Sequence, residues 1–217
     1  MHFETSGGAL SIDIERTVVA GWTGRNVAAV QHHIAELAEI GVAPPSQVPL
    51  YYRVASSLLT QAPEIQVVGD GSSGEAEPLV IRAAGKTWLG LASDHTDREL
   101  ESVSVAASKQ ICAKPVAKHL WAFEEVEDHL DEIELRCEIE EDGVWVLYQH
   151  GTLADIRPLP ELIDGARLAE NYAMLCGTLA AIGGVRPALS YRMTLSDPVR
   201  ERQIALAYTV ATLPVIS

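Results

Sequence analysis

The chain has 217 residues, of which 47% are hydrophobic and 21% are charged, and its formal net charge at pH 7 is −14. This composition is typical of a water-soluble globular protein, and the excess of acidic residues argues against nucleic acid or an anionic membrane surface as a partner. The sequence has no apolar run of about 18 residues, and its first residues lack the basic and apolar regions of a signal peptide. We therefore expect a cytoplasmic protein without a membrane partner.

The first half of the chain predicts strands around one long helix and one hairpin. Asn26 is placed to cap the helix, and Gly41 is placed to end it. The predicted elements are a strand at residues 12–20, the helix at 27–40, a strand at 65–68, a hairpin of residues 75–82 and 87–93, and a second helix at 97–108.

The second half of the chain predicts mainly antiparallel strands. These are residues 132–140 and 144–149, a strand at 173–176, and a closing pair at 188–196 and 202–210, with one short helix at 160–166. Because strands outnumber helices and hairpins outnumber crossover helices, the pattern indicates a β-rich α+β fold. We expect one domain over residues 1–217. The widely spaced Cys112, Cys137 and Cys176 are expected to be reduced, buried thiols.

Three carboxylates interrupt the otherwise apolar sequence of the predicted hairpin. Glu75 and Glu77 are two residues apart, so on a strand their side chains point to the same face. Asp94 lies at the end of the next strand, where a hairpin returns it toward that pair. Three carboxylates suit Mg²⁺ or Mn²⁺ and accept Ca²⁺. The alternative is an ordinary solvated strand edge, and His95 would point away from Asp94 on the opposite face.

The segment after the hairpin resembles the fumarylacetoacetate hydrolase superfamily. There, a Glu-x-Glu pair and a later Asp, in a pattern Asn-Asp-x-Ser/Thr-x-Arg-Asp, hold a catalytic metal. Here Thr96, Arg98 and Glu99 fall in register with Asp94.

Other segments resemble the same superfamily and follow in the same order along the chain. They are Gly24-Arg25-Asn26, His33-Ile34-Ala35-Glu36, residues 45–59, Gly151-Thr152, Pro160-Glu161-Leu162-Ile163 and residues 176–183. Within this superfamily the chain is most similar to a group of bacterial proteins defined as a domain of unknown function. The resemblance covers about residues 18–184.

The resemblance implies a mixed β-sandwich roll, a homodimer and an active site around the metal. It assigns Glu75, Glu77 and Asp94 as metal ligands. The implied catalytic residues are His33, Glu36 and Lys109, and the implied substrate-binding residues are Arg25, Gln149 and Thr178. His32 competes with His33 for the match, and Lys114 competes with Lys109, so both alternatives stay open.

Four of these residues also have a purely structural interpretation. His33 and Glu36 are three apart on a predicted helix, so a Glu-supported general base and a surface ion pair both fit. Lys109 fits a cation at a helix end, and Thr178 fits ordinary turn chemistry in a Gly-rich segment.

The resemblance implies a metal-dependent hydrolase that cleaves C–C bonds in small oxo or dioxo carboxylic acids. The metal would polarise a carbonyl, and His33 with Glu36 would activate water. Decarboxylation and keto–enol isomerisation use the same metal chemistry and are alternatives. A relative that binds small acids without catalysis is the third hypothesis.

Overall fold

The computed structural model describes residues 1–39 and 44–216, without the side chains of residues 33, 36, 37 and 39. The helices are α1 (Val27–Glu39), α2 (Arg98–Glu101), α3 (Val105–Gln110) and α4 (Leu159–Ala166). The strands are β1 (His2–Thr5), β2 (Gly8–Ser11), β3 (Arg16–Gly21), β4 (Leu50–Val54), β5 (Leu59–Thr60), β6 (Glu64–Val68), β7 (Ser72–Ser73), β8 (Ala76–Ala83), β9 (Lys86–Ser93), β10 (Thr96–Asp97), β11 (Lys114–Pro115), β12 (Trp121–Ala122), β13 (Glu134–Glu141), β14 (Val144–Thr152), β15 (Tyr172–Leu175), β16 (Ser190–Asp197) and β17 (Arg202–Leu213).

Six strands form a mixed sheet in the order β12-β9-β8-β15-β3-β4, in which only β15 and β3 run parallel. Its central strands are covered on both faces, which explains their nearly continuous apolar sequence. In β8, Val80 packs into one apolar core while Leu79 and Ile81 pack into another on the opposite face. This is the two-residue alternation of a strand with both faces buried.

A second mixed sheet has the order β14-β13-β16-β17-β6, with β6 parallel to β17. Buried and exposed residues alternate along β17, so Ile204, Leu206, Tyr208 and Val210 face inward. These side chains share one apolar core with Val80 of the six-stranded sheet. The two sheets therefore pack face to face, and the predicted β-rich α+β class is confirmed.

The predicted hairpin is present as β8 and β9, and it positions the carboxylates. Ala84 and Gly85 form its two-residue turn, with φ of 55° and 71°. At its open end Ala76 pairs with Ser93, and the Asp94 N–H donates to the Glu75 carbonyl at 3.0 Å. The register therefore brings Asp94 back beside the two glutamates.

Two predicted elements differ from the structure. Residues 97–108 form α2 and α3 instead of one helix, because Asp97 caps the first and Ser104 caps the second. The strand predicted at residues 12–20 begins only at Arg16. Asn26 does cap α1, accepting from the Ala29 N–H at 3.1 Å.

The predicted state of the thiols is confirmed, since Cys112, Cys137 and Cys176 are free and buried. In the described parts of the chain, no helix combines the length and the apolar character that crossing a bilayer requires.

The turn of the hairpin gives a stability test. Ala84 is exposed and adopts a left-handed conformation, which Asn tolerates better than Ala. We expect Ala84→Asn to raise the free energy of unfolding by about 1 kcal/mol in urea titrations. Ala169→Asn, at another exposed loop alanine, is the control and should bring no such gain. Equal effects of the two substitutions would contradict the assignment of strain to the turn.

Candidate metal centre

One carboxylate oxygen from each of Glu75, Glu77 and Asp94 lies within 4.8 Å of the others. Glu77 and Asp94 are buried, and Glu75 is partly buried. Oxygens that share a Mg²⁺ or Ca²⁺ ion lie at roughly 2.0–2.6 Å from it, and so at most about 5 Å from one another. The cluster therefore has the spacing of a site for one divalent cation.

Protein donors orient both glutamates through one oxygen each. Glu77 Oε2 accepts a hydrogen bond from the Gly177 N–H at 2.8 Å. Glu75 Oε2 lies 3.2 Å from Arg98 Nη2 in an ion pair. Each glutamate has a second oxygen, so these contacts fix its direction and leave it able to act as a ligand.

Asp94 has no solvent exposure and contacts two lysines. Its Oδ2 accepts a hydrogen bond from Lys109 Nζ, and its Oδ1 lies 3.0 Å from Lys114 Nζ. That second contact is an ion pair without hydrogen-bond alignment, and Oδ1 has no aligned donor within the described part of the chain. Lys114 compensates the charge at this oxygen, and the remaining lone pairs of Oδ1 are available to a cation at the cluster.

The two lysines differ in their surroundings. The Lys109 side chain is 9% exposed, and its ammonium lies 5.9 Å from the centre of the Tyr52 ring. The Lys114 side chain is fully buried, and its ammonium also donates to the His95 carbonyl. Both alternatives that the sequence left open therefore reach Asp94, and Lys114 is the more enclosed.

These contacts shift the pKa values in opposite directions. Burial alone would raise the pKa of Asp94, but Lys109 and Lys114 outweigh it and hold that pKa well below its usual range. Burial and the nearby charge of Asp94 raise the pKa of Glu77 well above its usual value. Burial would lower the pKa of Lys109, yet the three carboxylates raise it.

Gln149 and Thr178 bind the peptide backbone between the two glutamates. Gln149 is buried, and its Oε1 accepts from the Ala76 N–H at 2.9 Å while its Nε2 donates to Thr178 Oγ1 at 2.7 Å. Thr178 in turn donates to the Ala76 carbonyl at 2.8 Å. The two side chains therefore position the start of β8 beside the two glutamates, and their predicted contact with substrate stays a prediction.

Arg25 makes its contacts outside the carboxylate cluster. It makes two hydrogen bonds of 2.7 Å to Asp131 and further bonds to the carbonyls of Leu153 and Ile156. Asp131 is exposed, and the bidentate pair joins the start of α1 to the segment before β13. The structure thus does not bring the Arg25 guanidinium into the carboxylate cluster.

The predicted general base, His33, and its supporting Glu36 both lie on α1. The backbone of His33 and Glu36 is helical, but both side chains lie outside the described residues. The helix itself begins where the sequence predicted, after the Asn26 cap.

Arg98 is a site residue to which the sequence analysis gave no role. Besides Glu75, it donates to Ser73 at 2.6 Å and to Glu101 at 2.9 Å. Its position four residues after Asp94 was part of the matching motif. A guanidinium beside a buried strand end needs an acidic partner, and that requirement was the signal in the sequence from which the pairing with Glu75 could have been predicted.

The His95 ring contacts groups other than the carboxylates, although residues 94 and 95 lie between β9 and β10 and not on a strand as predicted. Its ring lies 2.9 Å from Ser72 Oγ and 3.0 Å from the Tyr208 hydroxyl. Burial, with the positive charges of Lys114 and Arg98, lowers its pKa to about 3. His95 is therefore a neutral, buried group next to a proposed ligand.

Comparison with protein families places most of the chain in one of them. Residues 20–208 match the family described as "Protein of unknown function (DUF2848)". A comparison with the curated proteins gave no match.

Solved structures with the same fold are known. A crystal structure of Cg1458 with an inhibitor has 16% identity and a TM-score of 0.69, covering 93% of this chain and 78% of that chain. 2-Keto-3-deoxy-D-arabinonate dehydratase complexed with magnesium and 2,5-dioxopentanoate has 12% identity and a TM-score of 0.67, covering 94% and 75%. Its apo form has 15% identity and a TM-score of 0.66, covering 93% and 74%. The predicted fumarylacetoacetate-hydrolase-like fold is confirmed.

The raised pKa of Glu77 gives a pH test that needs no metal. The folded state binds more protons than the unfolded state above about pH 4.5, so the free energy of unfolding falls as pH rises. We expect the wild type in chelator to lose up to about 1.4 kcal/mol per pH unit relative to Glu77→Gln, measured by urea unfolding.

Asp94 does not interfere with that measurement. Its lowered pKa contributes stability that is lost only as pH falls below about 3.8. Parallel pH profiles for the wild type and Glu77→Gln between pH 4.5 and 7 would contradict the assignment.

Proposed function

We propose a function for this chain, which belongs to the family described as "Protein of unknown function (DUF2848)". The function proposed is that of a divalent-metal-dependent enzyme acting on small oxo or dioxo carboxylic acids. The reaction proposed is hydrolysis of a C–C bond. The observation that carries the proposal is the convergence of Glu75, Glu77 and Asp94 beside a buried ammonium group.

The three carboxylates are proposed to hold Mg²⁺ or Mn²⁺, with Ca²⁺ as an alternative, because an oxygen-only set suits hard cations. Asp94 Oδ1 supports this assignment, because its cationic neighbour, the Lys114 ammonium, leaves lone pairs for a metal ion. When bound, the cation supplies Lewis-acid polarisation of a substrate carbonyl. The related fold that contains magnesium and 2,5-dioxopentanoate supports a site for a small oxo acid.

Lys109 is proposed as the cation that faces the substrate. The Lys109 ammonium interacts electrostatically with all three carboxylates, and its side chain is slightly exposed to solvent. The Lys114 ammonium, in contrast, is fully buried between Asp94 and the His95 carbonyl. A fixed ammonium stabilises negative charge that develops on a substrate oxygen. Lys114 would then orient Asp94.

His33 and Glu36 are proposed as the water-activating pair on α1. His33 takes a proton from water, the resulting hydroxide oxygen bonds to a carbonyl carbon, and the adjacent C–C bond breaks. The electron pair of that bond passes to the oxo-acid fragment as an enolate, which then takes up a proton. The products are a carboxylic acid and a smaller oxo acid.

Thr178 is proposed to contact the substrate carboxylate, and Gln149 to hold Thr178 in place. Thr178 is partly exposed and lies beside Gly177, the residue that donates to Glu77. We also propose a single-domain, cytoplasmic homodimer that has neither a nucleic-acid nor a membrane partner.

A lyase or an isomerase is the second candidate. It is favoured by the structural likeness to a dehydratase that acts on a 2-keto-3-deoxy acid. Dehydration removes a proton beside the carbonyl and a hydroxide, which together make one water. Decarboxylation or keto–enol isomerisation would likewise need the carboxylates and Lys109 but no water attack.

The metal site can be tested by thermal unfolding with Mn²⁺. At a free Mn²⁺ concentration 100 times the Kd, binding to the folded state stabilises the wild type by about 2.7 kcal/mol. We expect Glu75→Gln/Glu77→Gln to lose this gain. Glu138 and Glu140 repeat the same spacing on β13, so Glu138→Gln/Glu140→Gln is the matched control. An equal Mn²⁺ shift in both double variants would refute the site.

The reaction class can be tested with acylpyruvates, oxaloacetate and 2-keto-3-deoxy acids in the presence of Mg²⁺ or Mn²⁺. For hydrolysis we expect His33→Ala to lower kcat at least about 100-fold, the usual range for loss of a general base. Glu77→Gln should abolish turnover in either case. Substantial activity of His33→Ala would instead support the lyase or isomerase, and turnover unaffected by Glu77→Gln would contradict both.

A further inference from the structure

A buried hydrogen-bond network joins the second sheet to the loops that carry the proposed metal ligands. We infer that Tyr208 and His95 are positioning residues of the metal centre, which hold the backbone of Asp94 and Glu75 in register without touching the ion. This inference rests on the proposed metal site.

The centre of the network is the Tyr208 hydroxyl. It lies 2.9 Å from Ser93 Oγ and 3.0 Å from His95 Nδ1. Ser93 and His95 are the residues on either side of Asp94 in the chain. One phenol therefore holds both neighbours of the ligand, and all of these groups are buried.

The other ring nitrogen of His95 extends the network to the strand before the glutamates. His95 Nε2 lies 2.9 Å from Ser72 Oγ in β7. β7 pairs with β10, which directly follows His95, so the imidazole joins the two short strands on their buried side. The Lys114 ammonium adds a hydrogen bond to the His95 carbonyl.

The Tyr208 hydroxyl also lies close to the backbone of Gly74, the residue before Glu75. A Cβ atom at Gly74 would lie 2.0 Å from the Tyr208 hydroxyl oxygen and 3.1 Å from His95 Nδ1. Gly74 immediately precedes Glu75, so the hydroxyl packs against the backbone next to that ligand. Tyr208 thus contacts both segments that must converge for three carboxylates to share one ion.

Tyr208 belongs to β17 of the five-stranded sheet. Of the proposed ligands, Glu77 lies in β8 of the six-stranded sheet, Glu75 precedes β8 and Asp94 follows β9. A hydroxyl that crosses between the sheets fixes the ligand loops against a rigid strand. Groups that orient metal ligands from outside typically change metal affinity 10–100-fold when removed.

Tyr191 provides a matched control in the same core. Its ring stacks on Tyr208 with centroids 4.9 Å apart, and it meets the His95 ring edge-on at 5.7 Å. Both tyrosines are buried. The Tyr191 hydroxyl contacts the backbone of Gly74 and Ala188, whereas the hydrogen bonds to Ser93 and His95 are made by Tyr208. Tyr208→Phe and Tyr191→Phe each remove one hydroxyl oxygen, but only Tyr208→Phe removes the hydrogen bonds to the two neighbours of Asp94.

The test measures the Kd for Mn²⁺ by electron paramagnetic resonance on the full chain, together with the melting temperature in chelator. We expect Tyr208→Phe to weaken Mn²⁺ binding about tenfold or more and to broaden the spectrum of the bound ion. Tyr191→Phe should keep the wild-type Kd. His95→Gln, which retains a donor and an acceptor, should bind more tightly than His95→Leu.

Each result bears on a distinct claim. A wild-type Kd in Tyr208→Phe, even with a lower melting temperature, would show a merely structural role and overturn the inference. If Tyr208→Phe does not fold, equal Kd values for His95→Gln and His95→Leu would overturn it instead. Absence of Mn²⁺ binding by the wild type would refute the proposed metal site itself, and the inference with it.

Discussion

The Asp94 carboxylate is ionised although it has no solvent exposure, and the other contacts of the site depend on keeping that buried charge compensated. Asp94 can remain ionised there because Lys109 and Lys114 both lie against it. A buried charge without such partners would cost several kcal/mol, and removing either lysine would leave that charge poorly compensated. The lysines come from α3 and β11, so the chain after the hairpin must fold back onto the hairpin end.

The glutamates complete a cluster in which charges of both signs are buried together. Arg98 pairs with Glu75, and Gly177 donates to Glu77, so each acid has a fixed direction. Glu77 is the least compensated of the three, since its raised pKa comes from burial and from Asp94. Binding of a cation would therefore act first on Glu77, by favouring its ionised form.

The sequence was sufficient to predict the hairpin and the three carboxylates because both depend on local rules. Two-residue alternation places Glu75 and Glu77 on one face, and antiparallel register returns Asp94 beside them. The division of residues 97–108 into two helices was also recoverable, because Ser104 is a good cap in an otherwise helical segment.

Long-range partners could not be predicted in the same way. Gln149 bonds to Ala76 across 73 residues of sequence, and Tyr208 bonds to His95 across 113. Nothing in the local sequence of Arg25 indicates a bidentate pair with Asp131, 106 residues later. Such contacts depend on how the two sheets pack, which strand periodicity alone does not determine.

The central claim is that Glu75, Glu77 and Asp94 hold one divalent cation. A crystal of the full chain soaked in Mn²⁺, with anomalous scattering recorded at the manganese edge, tests it most directly. The account predicts one anomalous peak bonded to an oxygen of each carboxylate at roughly 2.0–2.3 Å. Manganese bound only elsewhere on the chain, with these carboxylates free of it, would contradict the account.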